Sequence, residues 1–325
     1  MYRFIAYIVT IWIGVTVIFF IPRMFPSDPV EGMIGQMLAR GGTMMPGEIE
    51  GMRQALRMQF GLDGNIFQQY WHFISNNIFR LDFGPSLMSF PTPASEIIGR
   101  NMPYTLFLML GSTILGWLIG NTIGLLAGFR KNKWSSKIME SIAIFLYPIP
   151  YFVVALVLQI VFAFLLGWFP LQSTVYGIPW TIPWIRSLLT ASILPALSIF
   201  LISMGWWIIS MKALSSTTAA EDYVQFARFR GLPEGEIGRK YVFRNSLLPQ
   251  ITALGLSLGG VFGGALMTEI IFGYPGVGRL MRAAISASDY NMILGCVTIS
   301  ILAVSTATLI VDLILPFVDP RIRRG

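Results

Sequence analysis

Six apolar runs, none containing a lysine or arginine, constrain this chain more than any other feature: roughly Phe4–Ile21, Tyr104–Gly128, Ser141–Gly167, Ile193–Met211, Ile251–Ile271 and Met292–Phe317. A bilayer's hydrocarbon core is spanned by about 20 residues of helix. No water there can satisfy exposed N–H and C=O groups, so a segment that crosses must bond its backbone internally. The runs therefore predict an all-α polytopic membrane protein with six transmembrane helices. Composition agrees, since 54% hydrophobic and 12% charged residues leave too little charge to cover a soluble domain of 325 residues.

Orientation follows from the Lys and Arg between the runs. Of the 23 in the chain, 14 fall on one side, in groups around Arg3, Arg130–Lys137, Lys212–Arg244 and Arg321–Arg324. The remaining 9 are spread over longer loops on the other side. The positive-inside rule then puts both termini in the cytoplasm. The net charge of +7 is read as this loop bias, with no nucleic acid as partner. The chain divides into 1–21, the N-terminus and first span; 22–103, a large extracytoplasmic cap loop; 104–317, spans two to six with a cytoplasmic loop at 212–250; and 318–325, a cytoplasmic tail. The first run lacks an A-x-A-like cleavage site before Ile21-Pro22-Arg23 and is read as retained. Within the cap, Pro46–Phe60 predicts an amphipathic helix stopped by Gly61, and Ile66–Phe79 a second with Tyr70, Phe73 and Ile74 on one face.

Enzymatic chemistry finds little support. No G-x-x-x-x-G-K-[ST] phosphate loop occurs, so any ATP is hydrolysed by another polypeptide. One cysteine, Cys296, and one histidine, His72, exclude a disulfide framework and a zinc cluster built from this chain alone. Gly255-Leu256-Ser257-Leu258-Gly259 fits G-x-S-x-G in letters, but a nucleophile elbow needs a strand-turn-helix and a histidine base. Gly255, Gly259 and Gly263, like Gly116, Gly120, Gly124 and Gly128, recur every four residues and are read as close helix contacts, within the chain or between subunits.

Glu140, Glu269 and Asp312 are the acids in or beside the runs. An intramembrane acid marks an ion path or proton relay by default. Each lies near a span end, however, so interfacial pairing is the competing reading: Glu269 with Arg279 or Arg282, Asp312 with Arg321–Arg324. Pro148 and Pro150 interrupt the third run and Pro195 sits early in the fourth, so freed carbonyls should face protein or a water-filled cavity. Pro148, Pro150, Trp206 and Glu269 are the candidate residues of a translocation path or gate, although a kink or simple packing would also account for them.

The loop EDYVQFARFRGLPEGEIGRKYVFRNSLLPQ, Glu221 to Gln250, concentrates charge between two spans. Thr218-Ala219-Ala220-Glu221 fits a capping box, and Gly231 fits the left-handed position that ends a helix. Tyr223, Phe226 and Ala227 form a stripe beside Arg228 and Arg230; a second helix is expected from Pro233, carrying Ile237 and Tyr241 and stopping before Pro249. Helices this short are marginal alone in water. The stripe needs a groove on a partner, a lipid surface, or the underside of its own bundle.

Glu221-Asp222-Tyr223-Val224, Ala227-Arg228, Gly231-Leu232 and Arg244-Asn245-Ser246-Leu247-Leu248-Pro249 resemble the cytoplasmic loop of ABC importer permease subunits of the dipeptide, oligopeptide and nickel permease family. Pro26-Ser27-Asp28-Pro29-Val30, Gly84-Pro85-Ser86, Phe272-Gly273-Tyr274-Pro275-Gly276-Val277-Gly278 and Asp319-Pro320-Arg321-Ile322-Arg323 agree in order and placement along nearly the whole chain. The resemblance implies a type I ABC importer permease fold in the inner membrane of a prokaryote. It also implies a second homologous permease subunit, two P-loop ATPase subunits that bind the ATP and Mg, and an extracytoplasmic solute-binding protein. This chain would hold no cofactor of its own. ATPase coupling would fall to Glu221, Asp222, Tyr223, Phe226, Ala227, Arg228, Arg230, Gly231 and Leu232. The general permease loop carries Glu-Ala-Ala before its glycine where this chain has Gln225-Phe226-Ala227, so Arg228 or Arg230 is expected to carry the electrostatic contact. Peptides are the solute implied, with oligosaccharides or nickel as alternatives. A stand-alone secondary carrier is the competing class; it predicts mid-membrane charges and inverted repeats, which are not evident.

Overall fold

The computed structural model describes residues 2–23, 29–39, 45–59, 64–129, 133–260 and 266–318. Among these residues fourteen α-helices follow in chain order: α1 (Tyr2–Arg23), α2 (Pro29–Ala39), α3 (Pro46–Gln59), α4 (Ile66–Ile74), α5 (Ala94–Phe129), α6 (Trp134–Leu146), α7 (Tyr151–Leu158), α8 (Ile182–Ala220), α9 (Asp222–Phe229), α10 (Glu234–Glu236), α11 (Arg244–Gly260), α12 (Leu266–Phe272), α13 (Val277–Ser286) and α14 (Tyr290–Val318). Wider π-helical turns continue α4 over Ser75–Arg80, α7 over Gln159–Leu165 and α10 over Ile237–Phe243. No strand occurs among the described residues; the one β-type pairing is an isolated bridge between Pro85 and Pro93.

Among the described residues four helices are long and apolar enough to cross a bilayer: those at Arg3–Phe20, Ala94–Phe129, Ile182–Ala220 and Tyr290–Ile314. A fifth candidate is the pair Trp134–Leu146 and Tyr151–Leu165, bent by 98°. Pro148 and Pro150 lie in that bend, as expected of residues that cannot continue a helix. The run Ile251–Ile271 falls on α11 and α12, and its residues 261–265 lie outside the described residues, as does Gly263. Pro103, Pro195 and Pro249 are all carried inside continuous helices.

The chain forms two compact units. The first comprises residues 1–104 and 276–306. In it, Phe19 of α1 packs its ring on Tyr70 and Phe73 at 5.2 and 5.3 Å, and the Tyr70 hydroxyl shares a 2.7 Å hydrogen bond with Thr16. The stripe predicted for the second cap helix is thus the face that α1 covers. The first cap helix is present as α3, and it pairs with α2, which was not anticipated, through Val30, Ile34 and Leu56. Arg53 bridges the two helices to Glu31 at 2.6 Å and also meets Glu50; its hydrogen bonds hold the Glu31 carboxyl below the ordinary carboxylate value. Asp289, fully buried, caps α14 by accepting from Met292 N at 3.1 Å. Its other oxygen accepts from Ser86 Oγ at 2.6 Å and Met88 N at 3.1 Å, while Asn291 Nδ2 donates to Pro85 O at 2.9 Å. The segment Gly84-Pro85-Ser86 is therefore pinned to the start of α14.

The second unit comprises residues 105–275 and 307–325. Its seam is the glycine ladder of α5 against α8. A Cβ on Gly120 would lie 2.5 Å from Trp207 Cβ and 2.9 Å from Met204 O; one on Gly124 would lie 2.7 Å from Ile208 O. At Gly128 it would meet Ser215 Oγ and, at 2.5 Å, the backbone Lys212 O. The second run's ladder is thus a contact within the chain. Gly255 likewise meets Val311 of α14, at 2.8 Å. Beyond the bend, α7 packs with α8 and α12 around Ala155, Leu158, Leu194 and Phe272. Gln159 Nε2 donates to the carbonyls of Leu171 and Ile271, tying the π-helical turn to the end of α12.

The seam makes a direct prediction. Gly120→Ala forces apart backbones with no slack and should cost about 1–3 kcal/mol, read as a lower melting temperature of the purified chain in detergent. Gly111→Ala on the same helix, where a Cβ meets nothing within 4 Å, should melt no lower than the parent.

Candidate functional site

The loop between α8 and α11 is built from residues that cannot continue one long helix. Glu221 adopts extended backbone (φ −62°, ψ 146°) and separates α8 from α9. No side chain caps α9, but Asp222 in its first turn faces the positive end of the helix dipole. The capping box expected from Thr218 is not formed. Helix α8 runs on to Ala220, Thr218 O accepts from Glu221 N, and the Thr218 hydroxyl accepts from Ser246 Oγ at 3.1 Å. Gly231 ends α9 at φ +75°, as its sequence position predicts. Leu232 N donates to Ala227 O at 3.3 Å and Gly231 N to Arg228 O at 2.9 Å, the pair of bonds of a Schellman ending.

Packing then splits the predicted stripe. Val224 and Ala227 point inward, where with Ile237 and Val242 they form a small core joined by Phe129, Leu232 and Tyr241. Phe226 and Phe229 point outward, 66% and 84% exposed, with Tyr223 at 41% beside them. The Tyr223 hydroxyl accepts from Asn245 Nδ2 at 3.2 Å, and Gln225 Nε2 donates to Ala219 O at 3.1 Å, so α9 is braced on both sides. Phe229 was not singled out from the sequence, and Val224 and Asn245 entered only as members of the family's loop motif. A stripe of i, i+3 and i+4 aromatics does not reveal which edge a neighbouring segment will cover.

The two arginines part company. Arg228 donates to both Glu234 carboxylate oxygens, at 2.9 and 3.4 Å, and lies 5.9 Å over the Phe129 ring, so it closes the loop on itself. Arg230, exposed after the last turn of α9, is left facing outward with Phe226 and Phe229. Lys240 meets Glu236 at 2.7 Å, and that contact holds the Glu236 carboxyl below its usual value. The second helix starts at Pro233 as expected, but it does not stop before Pro249. A π-helical turn leads into α11, which carries Pro249 within it. Proline there removes a single intrahelical hydrogen bond, which a helix packed among others tolerates.

The other candidate residues lie in the apolar helices. The Tyr147 ring, adjoining Pro148, packs at a tilt on Trp206 with centroids 5.4 Å apart, and Gly205 lets α6 approach, its Cβ position 3.3 Å from Ala143 O. Pro148, Pro150 and Trp206 therefore share one neighbourhood at the bend. Glu140 pairs with Lys212 across α6 and α8. Glu269, in α12, is fully buried and accepts from Thr105 Oγ1 at 2.7 Å. The bases expected near Asp312 lie outside the described residues. A further polar node escaped the sequence reading: Trp117 Nε1 donates to Gln250 O at 3.0 Å, Gln250 Nε2 to Ser210 Oγ at 2.8 Å, and Asn121 Nδ2 to Trp117 O at 2.7 Å. Its only sequence signal is an amide inside or beside an apolar run. Among the described residues no group of three or more His, Cys, Asp or Glu side chains could hold a metal ion.

Residues 120–324 match the family model described as the binding-protein-dependent transport system inner membrane component. Curated proteins similar to the chain include the glutathione transport system permease protein GsiC of Escherichia coli (strain UTI89 / UPEC) and of Shigella dysenteriae serotype 1 (strain Sd197), each 30% identical over 99% of this chain and 97% of the relative. The protein of the same name from Shigella boydii serotype 4 (strain Sb227) is 30% identical over the same shares.

The split of the stripe is measurable. Val224→Ala should destabilise the purified chain by about 2 kcal/mol through the cavity it leaves, whereas Phe226→Ala should stay within about 0.5 kcal/mol of the parent. Gly231→Ala, with open space around it but a left-handed backbone, should cost about 1 kcal/mol. Chemical denaturation in detergent orders the three.

Proposed function

The chain belongs to the binding-protein-dependent transport system inner membrane component family, as an ABC transport permease subunit of the peptide and nickel permease kind, and from that premise we propose that it imports small peptides by alternating access. The solute in the relatives' names is glutathione, a tripeptide, which falls within the di- and oligopeptide class. The chemistry of the chain itself is binding and motion; as a permease subunit it leaves ATP hydrolysis to its partners.

The observation that carries the reading is the outward face of α9. Phe226 and Phe229 are large, exposed and held by a packed inner face, with Arg230 at their side. An apolar helix face of this kind is completed by a groove on another protein. In the proposed assembly, six spans cross the inner membrane with both termini in the cytoplasm. This subunit pairs with a second permease, two P-loop ATPases holding ATP and Mg receive the α9 faces, and a solute-binding protein meets the segment between α1 and α5. Closure of the ATPases moves α9 as a lever. Because Val224, Ala227, Ile237 and Val242 join α9 to the α10–α11 segment, and Gln225 joins it to α8, its displacement passes to two long helices as a rigid-body motion. The bend at Pro148–Pro150 beside Trp206, together with the buried Glu269, supplies the parts of the path that respond.

Co-purification from membranes expressing the whole importer tests the docking. Phe226→Asp should lose the ATPases and peptide uptake while the permease keeps its amount and melting temperature; unchanged assembly and uptake would overturn the role of α9. Arg230→Glu should weaken the same association more at low salt than at high, as exposed charges do. For the solute, unlabelled di- and tripeptides should compete with labelled glutathione for uptake, and an oligosaccharide should not.

A further inference from the structure

Among the described residues, helix α4 is covered on only one side. Tyr70 and Phe73 lie against α1, but Phe67 and Trp71, four residues apart and so on one flank, are 80% and 71% exposed. Phe79, at the end of the following π-helical turn, is 79% exposed. Gln68 and His72, both exposed, follow about 100° further round the helix and line one groove with Phe67 and Trp71, and Asn76 Nδ2 lies 2.9 Å from His72 Nε2. An amphipathic helix is therefore present whose apolar sector is wider than the strip that α1 covers.

Its depth is fixed by its contacts. Tyr70 meets Thr16, four residues before the end of the apolar window Arg3–Phe20, so the side chain reaches about 6 Å inside the end of that window at 1.5 Å per residue. Helices lying in a bilayer interface bury their apolar faces to about 5–10 Å. The uncovered flank is also continuous with the outer surface of the span. Trp12, Val17 and Phe20 are exposed along α1, Phe20 stacks on Tyr70 at 6.4 Å, and Phe67 lies one turn before Tyr70. Tryptophan at this level is suited to the headgroup region, and exposed Arg80 beside Phe79 places a cation where anionic headgroups lie.

We propose that α4 is an interfacial helix, its Phe67–Trp71 flank seated in the lipid of the leaflet where α1 ends and its Gln68–His72 flank turned to water. The occupant of this face is lipid. The helix anchors the segment between α1 and α5 to the membrane surface and sets the height at which the rest of that segment stands. This holds whether or not α9 docks an ATPase.

The test uses the full chain in vesicles of phosphatidylethanolamine and phosphatidylglycerol. Phe67→Cys, Trp71→Cys and Gln68→Cys each receive an environment-sensitive thiol fluorophore. All three positions are exposed; Gln68→Cys gives up the 3.1 Å bond that Gln68 Oε1 accepts from Asn65 N, while the Asn65 side chain still accepts from the backbone of residue 68 at the cap of α4, and the unsubstituted chain, whose Cys296 is buried, serves as the labelling blank. Probes at Phe67 and Trp71 should be quenched several-fold more by a shallow nitroxide-labelled phosphatidylcholine than by aqueous iodide, and the probe at Gln68 the reverse. Iodide quenching at Phe67 and Trp71 would overturn the proposal by showing water there. Protection from both quenchers would overturn it by showing a protein cover. Equal behaviour of all three probes would overturn it by removing the orientation of the helix.

Discussion

The close approach of α5 to α8 is the contact on which the larger unit depends. In a bilayer no hydrophobic effect drives helices together, because lipid tails are as apolar as leucine, so association rests on fit. Glycine at 116, 120, 124 and 128 removes the side chains that would hold the two backbones apart, and the space is filled by Ser203, Trp207, Met211 and Ser215 of α8. Ser215 and Ser216 hydroxyls reach the carbonyls of Gly124 and Gly128 at 3.5 and 3.3 Å across the same seam. With α8 fixed on α5, Gly205 and Trp206 present a surface to α6, and the proline bend beyond it has a wall to rest on.

The same helix carries the seam toward the loop. Arg228 lies over Phe129, the last residue of α5, and Gly238 leaves room for that ring, its Cβ position 3.2 Å from Phe129 Cε1. The inner face of α9 is thus joined to the glycine seam through one aromatic side chain. The docking role proposed for α9 would need such an arrangement, with stiffness behind the contact and an exposed apolar face in front. Val224 and Ala227 are buried behind it, and Phe226 and Phe229 are exposed in front.

Much of the site was legible in the chain, for identifiable reasons. Gly231 could be placed because its positive φ is a local backbone requirement that few residues meet. The break at Pro148–Pro150 was readable because proline lacks an N–H wherever it occurs. Thr218 was misread because a capping box is equally a string of letters inside a longer helix; α8 continued through it and Ser246 took its hydroxyl. Pro249 was misread in the opposite sense, since a helix end and a tolerated proline differ only in what surrounds them. The node of Trp117, Asn121, Gln250 and Ser210 left almost no trace, because its members come from three helices and no spacing links them.

The sequence by itself determined that the chain is helical and membrane-embedded, where most spans lie, and which family's loop it carries. These follow from the dielectric of a bilayer and from backbone rules that act over a few residues. Only the tertiary structure decided that the glycine ladder of α5 closes on α8 within the chain, that Arg228 turns to Glu234 while Arg230 stays outside, and that, among the described residues, α4 shows one flank to α1 and leaves Phe67 and Trp71 exposed. Those outcomes depend on which surfaces meet, and pairings between residues far apart in the chain leave no periodicity in it to read.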